Sequence, residues 1–253
     1  MMLNPMSLTG CTLMVTGASS GIGRETCVLL SQLGAKVILV GRNRQQLNAT
    51  VGKLDGAPCR VEPFDLSQTN AINDWMKRVG TEEGGLHGFV HCAGMQLTRP
   101  LRVTTPENIE EVLRINFLAA VQLAKSFRQR GVCHKPSSIV FVSSIMGLVG
   151  LPALSIYSAS KGALDGFCRS LALEYAPEEI RVNCVSPGHV RSEMTESVAH
   201  KMPVEQYEIL KAAHPLGFGS TLDVANAIAF LMAETGRWIT GTTLVVDGGY
   251  TAK

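Results

Sequence analysis

Short runs of β-branched and apolar residues recur along the chain at 12–16 (TLMVT), 36–40 (KVILV), 60–64 (RVEPF), 88–91 (GFVH), 138–143 (SIVFVS), 180–186 (IRVNCVS) and 242–246 (TTLVV). Longer stretches of helical period lie between them. Near-continuous apolar runs alternating with helical patterns predict βαβ units in a parallel sheet whose strands are buried on both faces. Seven strands are expected, with helices on both faces, in a single α/β domain over 1–253. Helix ends are marked locally. Thr105 suits an N-cap, Pro106 the first helical position, and Glu107, Glu110 and Glu111 the positive end of the helix that follows. Gly34, after CVLLSQL, suits the C-terminal cap of the first helix. The stretch at about 189–220, containing HPLGFGS, keeps no period and is expected to be a lid or binding loop that contacts substrate.

Composition narrows the function. The chain has 253 residues, 45% of them hydrophobic and 17% charged, enough to bury a large core within one domain. Its net charge is +2, its Lys and Arg are spread along the chain and only 6% of residues are aromatic, so neither a nucleic-acid stripe nor an acidic partner is indicated. No apolar run approaches the roughly 18 residues of a membrane span, and the N-terminus lacks a basic region, apolar core and cleavage site. A cytoplasmic protein that engages no membrane is expected. The seven cysteines are odd in number, form no C-x-x-C pair and fall mostly in apolar runs, which predicts reduced packing residues and no metal site.

Between the first two strands lies TGASSGIG, with Gly17, Gly21 and Gly23. Glycines there allow a tight turn and let the backbone approach a pyrophosphate held by free amides at a helix N-terminus. The strand before it and the helix and strand after it are the context of a Rossmann-type, doubly wound dinucleotide site. After the second strand, where an acid would bond the ribose of NAD, the chain has Arg42 and Arg44. A guanidinium can bind a 2′-phosphate bidentately, with Arg24 as a second donor, so NADP(H) is expected over NAD(H). The alternative is that Arg42 and Arg44 are merely solvated.

SIYSASKGAL sets Tyr157 and Lys161 four residues apart, on one helix face. At an effective dielectric near 20, charges about 4 Å apart interact by about 4 kcal/mol, worth roughly three pKa units toward tyrosinate. Such a Tyr would exchange protons near neutral pH. Ser143 and Ser144 end the preceding strand and offer a hydroxyl for a carbonyl oxygen. Asn116 interrupts an otherwise apolar helix face and needs a partner.

With these residues placed, the chain resembles the short-chain dehydrogenase/reductase family over essentially its whole length. The matching motifs are TGASSGIG (16–23), DL (65–66), CAG (92–94), Asn116 in RIN, Ser144 thirteen positions before Tyr157, YSASK (157–161), SPGHVRSEM (186–194) and VDGG (246–249). The resemblance implies that Tyr157 exchanges the proton, Ser144 positions the substrate oxygen, Lys161 lowers the Tyr pKa and bonds the nicotinamide ribose, and Asn116 holds a water joining Lys161 to solvent. It places Gly17, Ser19, Ser20, Gly21, Ile22 and Gly23 around the phosphates and Arg42, Asp65 and Leu66 at the adenosine. Ala93, Gly94, Pro187, Gly188, Val190 and Ser192 join Tyr157 and Lys161 towards the nicotinamide. Hydride would pass between the cofactor and a carbonyl or alcohol substrate.

Where the family commonly has Asn-Asn-Ala-Gly, this chain has His91-Cys92-Ala93-Gly94, which puts a strand-tying hydrogen bond in doubt. By register, the basic positions that 3-oxoacyl-carrier reductases present beside the cleft fall on Lys135 and Glu178, and Glu178 is expected to repel an acidic carrier. A 3-oxoacyl thioester leads the substrate classes; a sugar, polyol or sugar nucleotide competes, and steroid or quinone-like ketones follow. The apolar loop 145–156, with Met95, Met194 and Met202, suggests a pocket for hydrocarbon or, equally, ordinary core. His189 and His214 are candidates for substrate contact or plain loop histidines. A non-catalytic NADPH sensor is the alternative of another class. Two helices, around 108–127 and 161–176, carry excess apolar positions, and the family pairs them into homodimers or homotetramers.

Overall fold

The computed structural model describes residues 4–54, 58–193 and 203–252. Seven strands form one parallel sheet: β1 (Thr12–Thr16), β2 (Lys36–Gly41), β3 (Cys59–Pro63), β4 (Leu86–His91), β5 (Cys133–Val142), β6 (Ile180–Pro187) and β9 (Thr243–Val246), in the order β3-β2-β1-β4-β5-β6-β9. A two-stranded ribbon of β7 (Val190–Arg191) and β8 (Gly219–Ser220) sits apart. Successive strand residues point to opposite faces, so each face has its own core. Leu13, Val15, Val37 and Leu39 pack beneath α1 (Gly21–Gln32), α2 (Arg44–Val51) and α8 (Thr221–Met232). Met14, Ile38, Phe89 and Phe141 pack beneath α3 (Ile72–Glu82), α5 (Ala119–Phe127) and α6 (Ser155–Tyr175). The doubly wound sheet is as the apolar runs predict.

The capping residues also act as their sequence suggests. Thr105 accepts a hydrogen bond from Asn108 N at the start of α4 (Pro106–Leu113), with Pro106 in the first turn. Gly34 takes φ +96° after α1, and a Cβ there would meet Thr9 Oγ1 at 2.6 Å. Two differences concern polar segments. β5 begins five residues before its apolar run, because the pairing with β4 shifts between Leu86 and Gly88 and accommodates HKPS as a bulge. The aperiodic stretch 189–220 contains a helix, α7 (Val204–Ala212), besides the ribbon strands.

Strand order reverses between β1 and β4, and ligands of such sheets bind over the carboxyl ends at that point. The loops after β1, β2, β3, β4, β5 and β6 begin at Gly17, Arg42, Phe64, Cys92, Ser143 and Gly188, so six separate motifs converge on one cleft.

Candidate active site

At one end of the cleft, Gly17, Ser19, Ser20, Gly21, Ile22 and Gly23 gather with Arg42, Asp65, Leu66, Ala93, Gly94 and Ser192. The turn admits no side chains: a Cβ on Gly17 would lie 2.8 Å from Ala93 N, and one on Gly23 2.2 Å from Gly17 O. The Ser20 side chain does not cap α1, leaving the amides of the first turn to other partners. One partner is the Glu193 carboxylate, which accepts from Gly21 N at 3.0 Å and from Arg24 Nη1 at 2.6 Å. An anion thus already sits on this helix end, so the donor set fits the pyrophosphate of a dinucleotide. Arg24, whose guanidinium also bonds Ser19 O, is committed here and is not a spare donor for a 2′-phosphate. Arg42 is exposed and makes no ion pair among the described residues. Asp65 is half-buried and caps its own turn, accepting from Ser67 N at 3.0 Å.

The other end is a cavity of about 490 Å³ lined by Ser144, Tyr157 and Lys161. Its walls are mostly apolar, from Met95, Met146, Leu151 and Leu154 to Leu210 and Tyr250, with Gln96, Thr98 and His189 as polar points. Pro187, Gly188, Val190 and Ser192 complete the rim. The loop 145–156 therefore contributes both cavity wall and a small cluster of Ile145, Met146 and Leu154 against Tyr157 and Tyr250. Met194 and Met202 lie outside the described residues.

Tyr157 sits in the first turn of α6 and lines the same cavity as Ser144, whose hydroxyl acts on the phenol. Ser144 Oγ in turn accepts from Met146 N at 3.2 Å, which fixes the hydroxyl. Lys161 Nζ lies 5.8 Å from the Tyr157 ring centroid and donates to Val142 O at 2.8 Å. Here the electrostatic expectation fails. Burial pushes the Tyr157 phenol above its ordinary value, the Ser144 hydroxyl only partly offsets this, and Lys161 does not lower it. The helical spacing brings the ammonium alongside the ring, but the carbonyl ending β5 takes it, so desolvation wins. Burial acts on Lys161 as well, pushing its pKa down to about 8.

Asn116 is fully buried in a π turn, Arg114–Leu118, between α4 and α5. Its Oδ1 accepts from Met95 N at 2.8 Å, and its Nδ2 donates to Met95 O at 2.9 Å and to Ser160 Oγ at 3.0 Å. The amide clamps the strand-end loop to α6, which is the partner its apolar surroundings demanded.

His91 resolves the departure from Asn-Asn-Ala-Gly. Its Nδ1 is 2.9 Å from Thr16 Oγ1, and that oxygen also accepts from Ala93 N at 3.2 Å. Nε2, on the other side of the ring, is buried and makes no hydrogen bond within normal limits, although the Ile115 backbone is close. Strands β1 and β4 are tied through His91, and the half-buried Cys92 thiol has its pKa pushed up to about 12. Burial and then the Lys161 charge hold His91 neutral, at about 3.

His214 is no surface histidine. It is buried, with Nδ1 2.8 Å from Leu210 O and Nε2 accepting from His189 N at 3.2 Å, and it joins α7 to the loop after β6. Lys135 and Glu178 lie away from the cleft of their own chain. Lys135 is seven residues before the end of β5, about 23 Å along the strand, and Glu178 precedes β6 at the same edge. Glu178 is paired with Arg128 and with Lys135 at 3.5 Å, so its charge is compensated rather than free to repel a carrier.

Gln96, Thr98, Leu210 and Tyr250 were not singled out by sequence, since nothing local marks them as lining residues. No helix is long and apolar enough to cross a membrane among the described residues, which also hold no group of three metal-ligating side chains.

Residues 17–251 match a family model described as enoyl-(acyl carrier protein) reductase. The 3-oxoacyl-[acyl-carrier-protein] reductase of Bos taurus is 35% identical over 93% of this chain and 95% of its own. That of Thermotoga maritima is 32% identical over 96% and 99%. A dehydrogenase/reductase from Sinorhizobium meliloti superposes with a TM-score of 0.89 at 30% identity, covering 98% and 97% of the two chains. A putative NAD(P)-dependent gluconate 5-dehydrogenase from Beutenbergia cavernae, with NADP bound at low occupancy, gives 0.92 at 28%, covering 99% and 100%. These matches span nearly the full length of the chain, and the chain belongs to the short-chain dehydrogenase/reductase family of oxidoreductases.

Proposed function

We propose that the protein interconverts a ketone and a secondary alcohol using NADP(H), with Tyr157 exchanging the proton. The observation that carries this reading is that Ser144 and Tyr157 meet in one cavity beside a buried ammonium, at the end of a cleft whose other end grips an anion. The dinucleotide, when bound, supplies or accepts the hydride. Ser144 holds the substrate oxygen, and Tyr157 donates its proton to that oxygen in the reducing direction. Lys161 restores the Tyr proton and holds the cofactor ribose. Asn116 acts as a clamp, and the backbone opened by its π turn, rather than its engaged amide, is the group that takes a water. Gly17, Ser19, Ser20, Gly21, Ile22 and Gly23 enclose the phosphates. Asp65 and Leu66 flank the adenine, while Ala93, Gly94, Pro187, Gly188, Val190 and Ser192 shape the nicotinamide end. Arg42, cationic and unpaired, favours a 2′-phosphate.

A 3-oxoacyl thioester is the leading substrate. The relatives named above support it, and so do the apolar walls from Met95 to Tyr250, which suit an acyl chain. The NADP-bound gluconate dehydrogenase relative keeps a keto-sugar as the second reading, favoured by Gln96, Thr98 and His189. The stretch 189–220 acts as the substrate loop of a single domain. Seven free cysteines suit a cytoplasmic setting, and the family's homodimer or homotetramer is the expected assembly.

The test is NADPH oxidation with a panel of 3-oxoacyl thioesters beside keto-sugars. Turnover of the thioesters is expected. Turnover of keto-sugars alone would move the substrate class, and tight NADPH binding without turnover of any carbonyl would overturn the proposal.

A further inference from the structure

The pattern that places Tyr157 and Lys161 on one face of α6 continues for another turn, to Asp165. This carboxylate is 3% exposed, inside a site whose chemistry, as read above, does not use it. Its Oδ1 accepts from Thr243 Oγ1 on β9 at 3.1 Å. Its Oδ2 is buried and makes no hydrogen bond within normal limits, although the Ser143 hydroxyl and the Cys184 thiol are close. A buried, half-satisfied carboxylate is costly, and the cost calls for a compensating charge.

Lys161 provides one. The two side chains are four residues apart on the same helix face, yet they form no contact ion pair, because Nζ is held by Val142 O. The carboxylate also packs on the turn that follows Ser144. A Cβ on Gly147 would lie 2.7 Å from Asp165 Oδ2, so position 147 has room only for a glycine. Ser143 Oγ, next to that turn, donates to Lys161 O at 3.1 Å. Asp165 therefore touches the base of both arms of the site.

We propose that Asp165 is a positioning residue of this active site, the buried counter-charge that keeps Lys161 an ammonium at working pH. It rests on the reading of Tyr157 and Lys161 as the reacting pair.

The groups facing the ammonium leave no other anion. On β4, His91 is neutral, and the Cys92 thiol after it is pushed up to about 12. On β6, Cys184 is pushed well above the ordinary thiol value, first by its bond with Cys168 and then by burial. Tyr157, on the same helix, is raised by burial. Asp165 itself is raised by burial, which the hydrogen bond from Thr243, the nearby Ser143 hydroxyl and Cys184 thiol and the exposed Arg169 offset only in part. Asp165 is thus the one carboxyl acting on Lys161 among the described residues, and it acts to raise the ammonium's pKa. Without it, burial alone acts and the ammonium loses its proton at lower pH.

The test replaces the charge without changing the shape. In Asp165→Asn, the Lys161 titration midpoint, read from its side-chain ¹³Cε resonance and assigned with Lys161→Arg, should fall by roughly one pH unit. The basic limb of kcat/KM should move down with it. The deficit against wild type should be less than about threefold at pH 6 and about tenfold by pH 9. Asp165→Ser, which removes the charge without adding an amide to the core, should give the same midpoint shift and serves if the Asn variant does not fold. An unmoved Lys161 midpoint, or a loss of activity equal at all pH values, would overturn the proposal and leave Asp165 a packing group. The resonance reads Lys161 without turnover, so a failure of the proposed reaction would still leave this result legible.

Discussion

Arg42 and Lys161 are the two cations that face the cleft, and their surroundings are opposite. Arg42, at the glycine-turn end, is exposed and makes no ion pair among the described residues. Lys161, at the catalytic end, is 5% exposed, bonded to Val142 O and depressed to about 8. An exposed guanidinium costs the fold little, and under the proposed function it gains a partner in the 2′-phosphate. A buried ammonium is costly, and it is tolerated where a tuned charge must stand beside a reacting proton. Recognition and chemistry are therefore separated along one cleft, and substitutions at its two ends should separate them too.

Tyr157→Phe makes the largest break. It should lower kcat by about a thousandfold or more while the NADPH Kd, by fluorescence titration, changes only a few-fold. An unchanged kcat would remove Tyr157 from the mechanism. At the other end, Arg42→Asp should reverse the NADPH over NADH preference in kcat/KM by about a hundredfold, since it removes a phosphate-binding cation and supplies an acceptor for a ribose hydroxyl. A constant ratio would mean that Arg42 is merely solvated.

Acidity sharpens the contrast further. A cation whose folded value is about 8 is lost as pH rises through that value, so kcat/KM for reduction should fall about tenfold per unit above pH 8 and stay flat between 6 and 7.5. NADPH affinity measured in Tyr157→Phe should vary less over the same range.

The smallest effects lie outside the cleft. Ser220 and Asp223 form a capping box at α8, and Ser220→Ala should cost about 1 kcal/mol in denaturant unfolding without altering kinetics. On the β3 edge, burial raises Glu62, but hydrogen bonds from Arg78 and Arg60 outweigh it and hold the carboxyl below its ordinary 4.5. The stability this gives is present above that value and lost as pH falls below it, which Tm measured from pH 7 to 3 would show.

Local pattern carried much of this molecule. Strands buried on both faces must be apolar throughout, so seven runs were visible, and Thr105, Pro106 and Gly34 act within a few residues of themselves. Glycines at 17, 21 and 23 and the Tyr157–Lys161 spacing are equally local, which is why the site's position was legible. The polar start of β5 and the helix within 189–220 carried no such signal, because a bulge at the start of a strand and a weakly amphipathic helix leave no clear period.

What the sequence by itself determined was the identity and order of the elements and the chemical groups at their ends, since propensity, capping and periodicity act over a few residues. Tertiary structure alone decided the partners of those groups. Thr16 meets His91, Gly21 meets Glu193 and Asp165 meets Thr243 across 75, 172 and 78 residues. It likewise decided that the Lys161 ammonium bonds a strand carbonyl and that Tyr157 is raised rather than lowered. Desolvation depends on everything packed around a group, and no spacing along the chain records it.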